Sequence, residues 1–446
     1  MAAAEARSGA RPPNILYIHS HDTGRCIQPY GYAAPTPNVM RLAEEGVLFR
    51  NAFSGAPTCS PSRAALLTGQ CAHSSGMLGL AHRGFALSDY GRHLVSTLKA
   101  KGYLTALAGV QHEARSWEQI GYDRYLAAPS EAHAAAASFL RNPPAEPFFL
   151  AVGFHETHRV YPELENPEEA RFVAPPAPLP DLPEVRVDMA RYLRSARILD
   201  EKIGEVLSAL RSGGAWENTL IIATTDHGVA FPRMKCNLTD DGIGVYLIMH
   251  GPNGISGGRV IDALVSQIDL FPTVCEVTGI DKPEWLEGVS LLPLIDGTQA
   301  EVRDRLFAEV TYHAAYEPMR CVRTGRYKYI VRYDGRSRPV LPNVDDGESK
   351  SALLSIGWFP IEEEQLYDLL FDPHETRNIA RDPAQRAVLA ELRESLLEWM
   401  IRTRDPLLAG GAAVPRAPVV VDAPRGAKIN DADGLSPNDP PLVIEG

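Results

Sequence analysis

Cys59-Ser60-Pro61-Ser62-Arg63, running into Ala64-Ala65-Leu66-Leu67-Thr68-Gly69, puts a nucleophilic side chain, a guanidinium and a helix start within one turn. Proline fits the first turn of a helix, where its missing N–H costs nothing. The spacing predicts that Cys59 lies at a helix N-terminus, where unpaired N–H groups and the helix dipole favour an anion. Arg63 follows one helical turn later, on the same side. A reactive side chain, a guanidinium fork and a helix N-terminus converging on one point make a site for sulfate or phosphate. The other cysteines, Cys26, Cys71, Cys236, Cys275 and Cys321, read as small buried hydrophobes.

Further chemically able residues follow short apolar runs. Segments 14–18, 104–108, 147–154 and 218–224 read as strands, and 244–249 as a fifth. The first runs into His21 and Asp22, the second into His112, the third into His155 and His158, the fourth into Asp226 and His227. In open α/β sheets ligands bind outside the carboxyl ends of the strands. Four strands delivering His or Asp to that edge predict a shared metal and acid–base site.

The runs alternate with helical patterns, which predicts α/β with a largely parallel sheet. Segment 188–210 reads as a long helix, and 264–278 as another, bent or started near Pro272. After about residue 300 the pattern changes. Segments 305–309, 319–323, 327–332 and 364–369 read as short antiparallel strands, and 384–402 as a closing helix. From about Pro406 the chain is rich in Ala, Pro, Gly and Asp and reads as an extended or poorly ordered tail.

A chain of 446 residues with 45% hydrophobic content predicts a large domain plus a smaller one. The net charge of −12 argues against nucleic acid or an acidic membrane surface as partner. Capture of an anionic substrate must therefore come from a local cationic pocket. The start, Met1-Ala2-Ala3-Ala4-Glu5-Ala6-Arg7, lacks the apolar core of a secretory signal. No apolar run approaches the roughly 20 residues that span a bilayer. The expectation is a soluble, cytoplasmic protein without a disulfide framework; a homo-oligomer is left open.

Cys59-x-Pro61-Ser62-Arg63 with Leu67-Thr68-Gly69 resembles the signature of the type I sulfatases of the alkaline phosphatase superfamily. The resemblance runs from residue 13 to about 405. It is nearest to the heparan N-sulfatase (sulfamidase, N-sulfoglucosamine sulfohydrolase) branch and its bacterial relatives. Phe154-His155-Glu156-Thr157-His158-Arg159, Thr225-Asp226-His227-Gly228, Tyr316-Glu317-Pro318-Met319-Arg320 and Asp372-Pro373-His374-Glu375-Thr376-Arg377-Asn378 carry it. It implies an alkaline-phosphatase-like large domain over 1–300, with a mostly parallel mixed sheet flanked by helices. An α+β subdomain with an antiparallel sheet over 301–405 would complete the substrate pocket, and 406–446 would form the tail.

The same resemblance implies hydrolysis of a sulfate ester or sulfamate of a sugar, most nearly an N- or O-sulfated glucosamine. In that family a formylglycine-generating enzyme converts the cysteine, here Cys59, to formylglycine. One hydroxyl of its hydrate attacks sulfur and forms a covalent sulfate ester. Asp22, Asp226, His227 and the Cys59-derived oxygen would hold a divalent metal. Arg63 would fix the diol, and His112 would deprotonate its second hydroxyl. His158 and Lys235 would serve as leaving-group acid and sulfate-binding cation.

Two positions depart from the family pattern. His21-Asp22 stands where the family has Asp-Asp, which adds His21 to the metal set. Gly109-Val110-Gln111-His112 stands where it has Gly-Lys-x-His, which removes one cation; Gln111 or Arg25 would have to compensate. The family favours calcium, whereas two histidines beside two carboxylates tolerate manganese, iron or zinc. His155 and Arg159, and from the second domain Tyr312, His313, Tyr316 and Arg320, are expected substrate contacts. Phosphonate monoester or phosphodiester hydrolysis and a non-catalytic carbohydrate-binding relative are the alternatives.

Overall fold

Asn14–Ser20 (β1) is buried at all seven positions, as a strand covered on both faces must be. The computed structural model describes residues 11–335, 339–340, 343–357 and 361–410. On either side of β1 lie Phe148–Gly153 (β5) and Thr219–Thr225 (β6), both parallel to it and both fully buried. Val47–Phe53 (β2), Leu104–Gly109 (β3), Arg124–Ala127 (β4), Leu247–His250 (β7) and Arg259–Ser266 (β8) complete a sheet of order β4-β3-β5-β1-β6-β7-β2-β8. Only β7 runs against its neighbours. Along β1 side chains alternate between faces. Ile15 and Tyr17 join one core with Leu94, Leu98 and Phe271; Leu16 and Ile18 join the other with Leu140, Ile203 and Leu210.

The second sheet is antiparallel: Arg305–Tyr312 (β9), Tyr316–Thr324 (β10), Tyr327–Arg332 (β11) and Glu364–Asp368 (β12), in the order β12-β11-β10-β9. The helix Arg386–Arg402 packs Leu392, Leu396 and Trp399 against it. The α/β class, the mostly parallel mixed sheet and the antiparallel second sheet agree with the sequence reading.

One element differs. Segment 264–278 does not begin as a helix: Leu264 and Val265 close β8 and pair with β2, where Val265 faces Ala52. A capping box of Ser266 and Asp269 then starts a turn, and the helix occupies Leu270–Thr278 with Pro272 in its first turn. The long helix spans Pro183–Ser212. Of the expected tail, Pro406–Ala409 forms a short turn, and 411–446 lies outside the described residues. Among the described residues no helix is long and apolar enough to cross a membrane.

Candidate active site

The helix Cys59–Thr68 begins at Cys59, after an extended Thr58. Its N-terminus meets the carboxyl ends of β1 and β6. Ser62 donates to the Asp226 carbonyl at 2.5 Å and so ties the helix to the end of β6. After β1 the chain turns sharply with Asp22 in the left-handed region, at φ 54°. That turn lets the Asp22 N–H donate to Asp226 Oδ1 at 2.8 Å.

The sulfur of Cys59, one nitrogen each of His21 and His227, and one oxygen each of Asp22 and Asp226 lie within 4.8 Å of one another, all buried. His21 Nδ1 is 2.7 Å from Asp22 Oδ1 and 3.2 Å from Asp226 Oδ2. His227 Nδ1 donates to the Gly228 carbonyl at 3.0 Å, which leaves Nε2 facing Asp22 Oδ1 at 3.3 Å and Cys59 Sγ at 3.5 Å. A carbonyl that fixes the distal N–H is the usual support of a metal-binding histidine. The donor set therefore fits a divalent metal.

Cations frame the cluster. Lys235, fully buried, donates to Asp22 Oδ2 at 2.8 Å and to His158 Nε2 at 3.3 Å. Arg63 donates to Asp226 Oδ2 at 2.8 Å, to the Ser20 carbonyl and to His19 Nδ1, while its buried Nε meets no partner among the described residues. Burial opposes ionisation of Asp22, but Lys235, His158, His21 and His227 together hold its carboxyl well below the usual range. Burial likewise opposes the Lys235 ammonium, yet Asp22 and Asp345 keep it charged. Burial pushes the Cys59 thiol well up, and Asp22 and Asp226 push the same way against Lys235. His112 is driven well below the ordinary histidine value by burial and by His21 and Arg63, so it is a neutral imidazole.

His112, His155 and His158 line a cavity with His21 beside the cluster, and Val110 and Gln111 form part of its wall. His158 Nδ1 donates to the Arg159 carbonyl. His313 is buried, with Nδ1 3.2 Å from Asn343 Oδ1 and the Lys235 charge acting on it.

Of the remaining expected contacts, Gln111 lines this cavity and the others lie outside it. Arg25 donates to the Asp240 carbonyl at 3.1 Å, stacks over Phe53 and lines a separate cavity with Asp240 and Arg323. It is not placed to replace the family lysine. Gln111 is engaged with the backbone of Ala114 through both its amide atoms. Arg159 forms a buried two-pronged pair with Asp188 at 2.7 and 2.6 Å. Tyr312 is buried against Phe85, and Tyr316 pairs with it across the strand turn. Arg320 is wholly buried, bonded to Asp405 at 2.6 Å and to two backbone carbonyls, with Glu309 at 3.3 Å. A guanidinium committed in this way has no donor left for substrate. Arg320→Met should cost about 3–5 kcal/mol of stability, because two buried carboxylates lose their cation. Urea denaturation measures this; an unchanged midpoint with a raised KM would restore the substrate reading.

The sequence reading did not anticipate Asp345, whose Oδ2 lies 3.5 Å from Lys235 Nζ and 4.0 Å from His158 Nε2. Nor did it anticipate His19 and Glu113, which flank Arg63 and His112. A carboxylate beside His112 in sequence was the available signal for Glu113; Asp345 carried none.

A mixed α/β sheet presenting carboxylates, imidazoles and a helix-borne cysteine at its strand ends fits a hydrolase that uses a divalent metal. A model of the sulfatase family matches residues 13–280, and one described as "N-sulphoglucosamine sulphohydrolase, C-terminal" matches 232–341. The chain belongs to the sulfatase family. It is 29% identical to human N-sulphoglucosamine sulphohydrolase over 89% of this chain and 91% of that protein. A structure solved with its substrate D-glucosamine-2-N,6-O-disulfate shares the fold at TM-score 0.69 and 19% identity, over 89% of this chain and 99% of that one. A phosphonate monoester hydrolase from Silicibacter pomeroyi does so at TM-score 0.66 and 19% identity, over 89% and 97%. The protein is a hydrolase of the sulfatase class.

Proposed function

We propose that the enzyme removes sulfate from a sulfated amino sugar, N- or O-sulfated glucosamine, after Cys59 has been converted to formylglycine by a formylglycine-generating enzyme. The observation that carries the reading is the convergence of Cys59 with Asp22, Asp226, His227 and His21 at one buried point. The Cys59 thiol is itself a poor nucleophile there, because burial and two carboxylates oppose the thiolate. As formylglycine hydrate it would supply a hydroxyl to attack sulfur, and a divalent metal held by Asp22, Asp226, His227 and His21 would polarise the sulfate oxygens. The two imidazoles in this set favour manganese, iron or zinc over calcium, which takes oxygen donors.

The chain's own residues divide the remaining work. His112, neutral and unpaired at Nδ1 among the described residues, accepts a proton from the diol. Lys235 and Arg63 balance charge on the non-bridging oxygens. His158, with Nδ1 tied to a carbonyl, offers Nε2 to the leaving group as its acid, while the Lys235 ammonium 3.3 Å away stays charged. Asp345 holds Lys235 and His158 in register. We also propose a catalytic unit through residue 300 and a C-terminal unit over 301–405 that closes on it, since the second sheet starts at Arg305.

The direct test is peptide mass spectrometry of the Cys59 segment after co-expression with a formylglycine-generating enzyme, together with turnover of N-sulfoglucosamine. An unmodified cysteine with tight sugar binding and no turnover would favour a non-catalytic carbohydrate-binding protein. A higher kcat/KM for phenyl phosphonate monoesters than for sulfates would favour phosphonate hydrolysis.

With Val110 where the family has lysine, Lys235 carries more of the charge. A preorganised cation at such a position contributes about 3 kcal/mol. Lys235→Ala should therefore lower kcat by roughly two orders of magnitude. His158→Ala should lose less as aryl sulfates with more acidic leaving groups are used; an equal loss across the series would remove its role as acid.

A further inference from the structure

The cavity beside the cluster, about 640 Å³, does not stop at the histidines. It is also lined by Arg115, Trp117 and Tyr125. His21 follows β1, whereas Tyr125 lies on β4, the edge strand three places away across β5 and β3. Three inter-strand steps span ~14 Å, longer than one pyranose ring.

The rings of Trp117 and Tyr125 are near-parallel, 14° between planes and 5.8 Å between centroids. Tyr125 is 39% exposed although it is a large apolar ring on a strand. The mounting is rigid. Ile120 is buried beneath the short helix Trp117–Ile120, and Asp123 accepts from the N–H and hydroxyl of Thr105 at 2.9 and 2.8 Å, which fastens the start of β4 to β3. Arg115 is exposed and makes no hydrogen bond or ion pair among the described residues. On a chain of net charge −12, an unpaired cation at the mouth of the reactive cavity is a local attractor for an anion.

We propose that Trp117 and Tyr125 form the platform for the sugar unit next to the one being desulfated, and that Arg115 pairs with an acidic group, carboxylate or sulfate, on that unit. A pyranose has one apolar C–H face and a polar rim, which matches the exposed Tyr125 ring, backed by the half-buried Trp117 that packs on the core and flanked by a guanidinium. The preferred substrate is then an acidic oligosaccharide rather than a free monosaccharide. This rests on the sulfatase reading above and names the substrate class of the same site.

Two measurements separate the proposal from that reading. The first is kcat/KM for a sulfated, acidic tetrasaccharide and for N-sulfoglucosamine. In Trp117→Ala, Tyr125→Ala and Arg115→Gln the ratio of the two should fall roughly tenfold, mainly through KM for the tetrasaccharide. The second is calorimetric binding of the tetrasaccharide to Cys59→Ala, with and without Trp117→Ala, which does not depend on turnover. A tenfold loss of affinity in the double variant supports the platform even if the reaction chemistry proves different. An unchanged ratio, or equal losses on both substrates with unchanged binding, overturns it.

Discussion

Cys59→Ala is expected to reduce turnover of sulfated substrate by at least about four orders of magnitude while leaving the protein folded. The side chain is the first residue of a buried helix and its sulfur contacts His227 Nε2 at 3.5 Å. Alanine is a better helix former and removes one sulfur atom, so the stability cost is about 1 kcal/mol. Metal affinity should fall less than turnover, because Asp22, Asp226, His21 and His227 remain. The comparison of turnover, melting temperature and metal content in one preparation is decisive. More than a small residual rate in a folded, metal-loaded variant would mean that the nucleophile is another group.

The parts of the molecule that were legible in the sequence are those where local pattern and global role coincide. β1, β5 and β6 are buried on both faces and therefore read as unbroken apolar runs that end at His or Asp. The helix start at Cys59 was legible because proline and the apolar run after it act within one turn. β2 was not read as a strand, since Arg50 and Asn51 interrupt its apolar pattern near the sheet's edge. Segment 264–278 misled because Leu264 and Val265 suit either a strand end or a helix start, and the capping box at Ser266 and Asp269 decides between them. Among site residues, a guanidinium looks the same in sequence whether it meets substrate or a buried carboxylate. Arg320 finds Asp405 at a separation of 85 residues and Arg159 finds Asp188 at 29. Asp345 meets Lys235 across 110 residues from a loop with no motif. Such pairings are set by packing of distant segments, which one sequence does not display.

Metal binding gives the second large effect. Asp22 and Asp226 are balanced by Lys235 and Arg63, so a divalent ion leaves the cluster cationic and ready for an anionic sulfate. An ion that binds only the folded state stabilises it by about 2.7 kcal/mol at a hundredfold excess over Kd. Wild-type protein stripped with a chelator should therefore melt several degrees lower, and manganese or zinc should restore it. Asp226→Asn, which keeps an acceptor for Arg63 but loses the anionic donor, should show no such shift and should retain little metal by elemental analysis. Stoichiometric metal in this variant would put the site elsewhere. His21→Asp separates the two ion classes. It exchanges an imidazole for a carboxylate beside Asp22 and Asp226, so calcium should now stabilise the protein more than it does wild type, and zinc less. If wild type already prefers calcium and His21→Asp leaves that order unchanged, His21 is not a donor. Its Nδ1–H then serves only to bridge Asp22 and Asp226, the two carboxylates it faces at 2.7 and 3.2 Å.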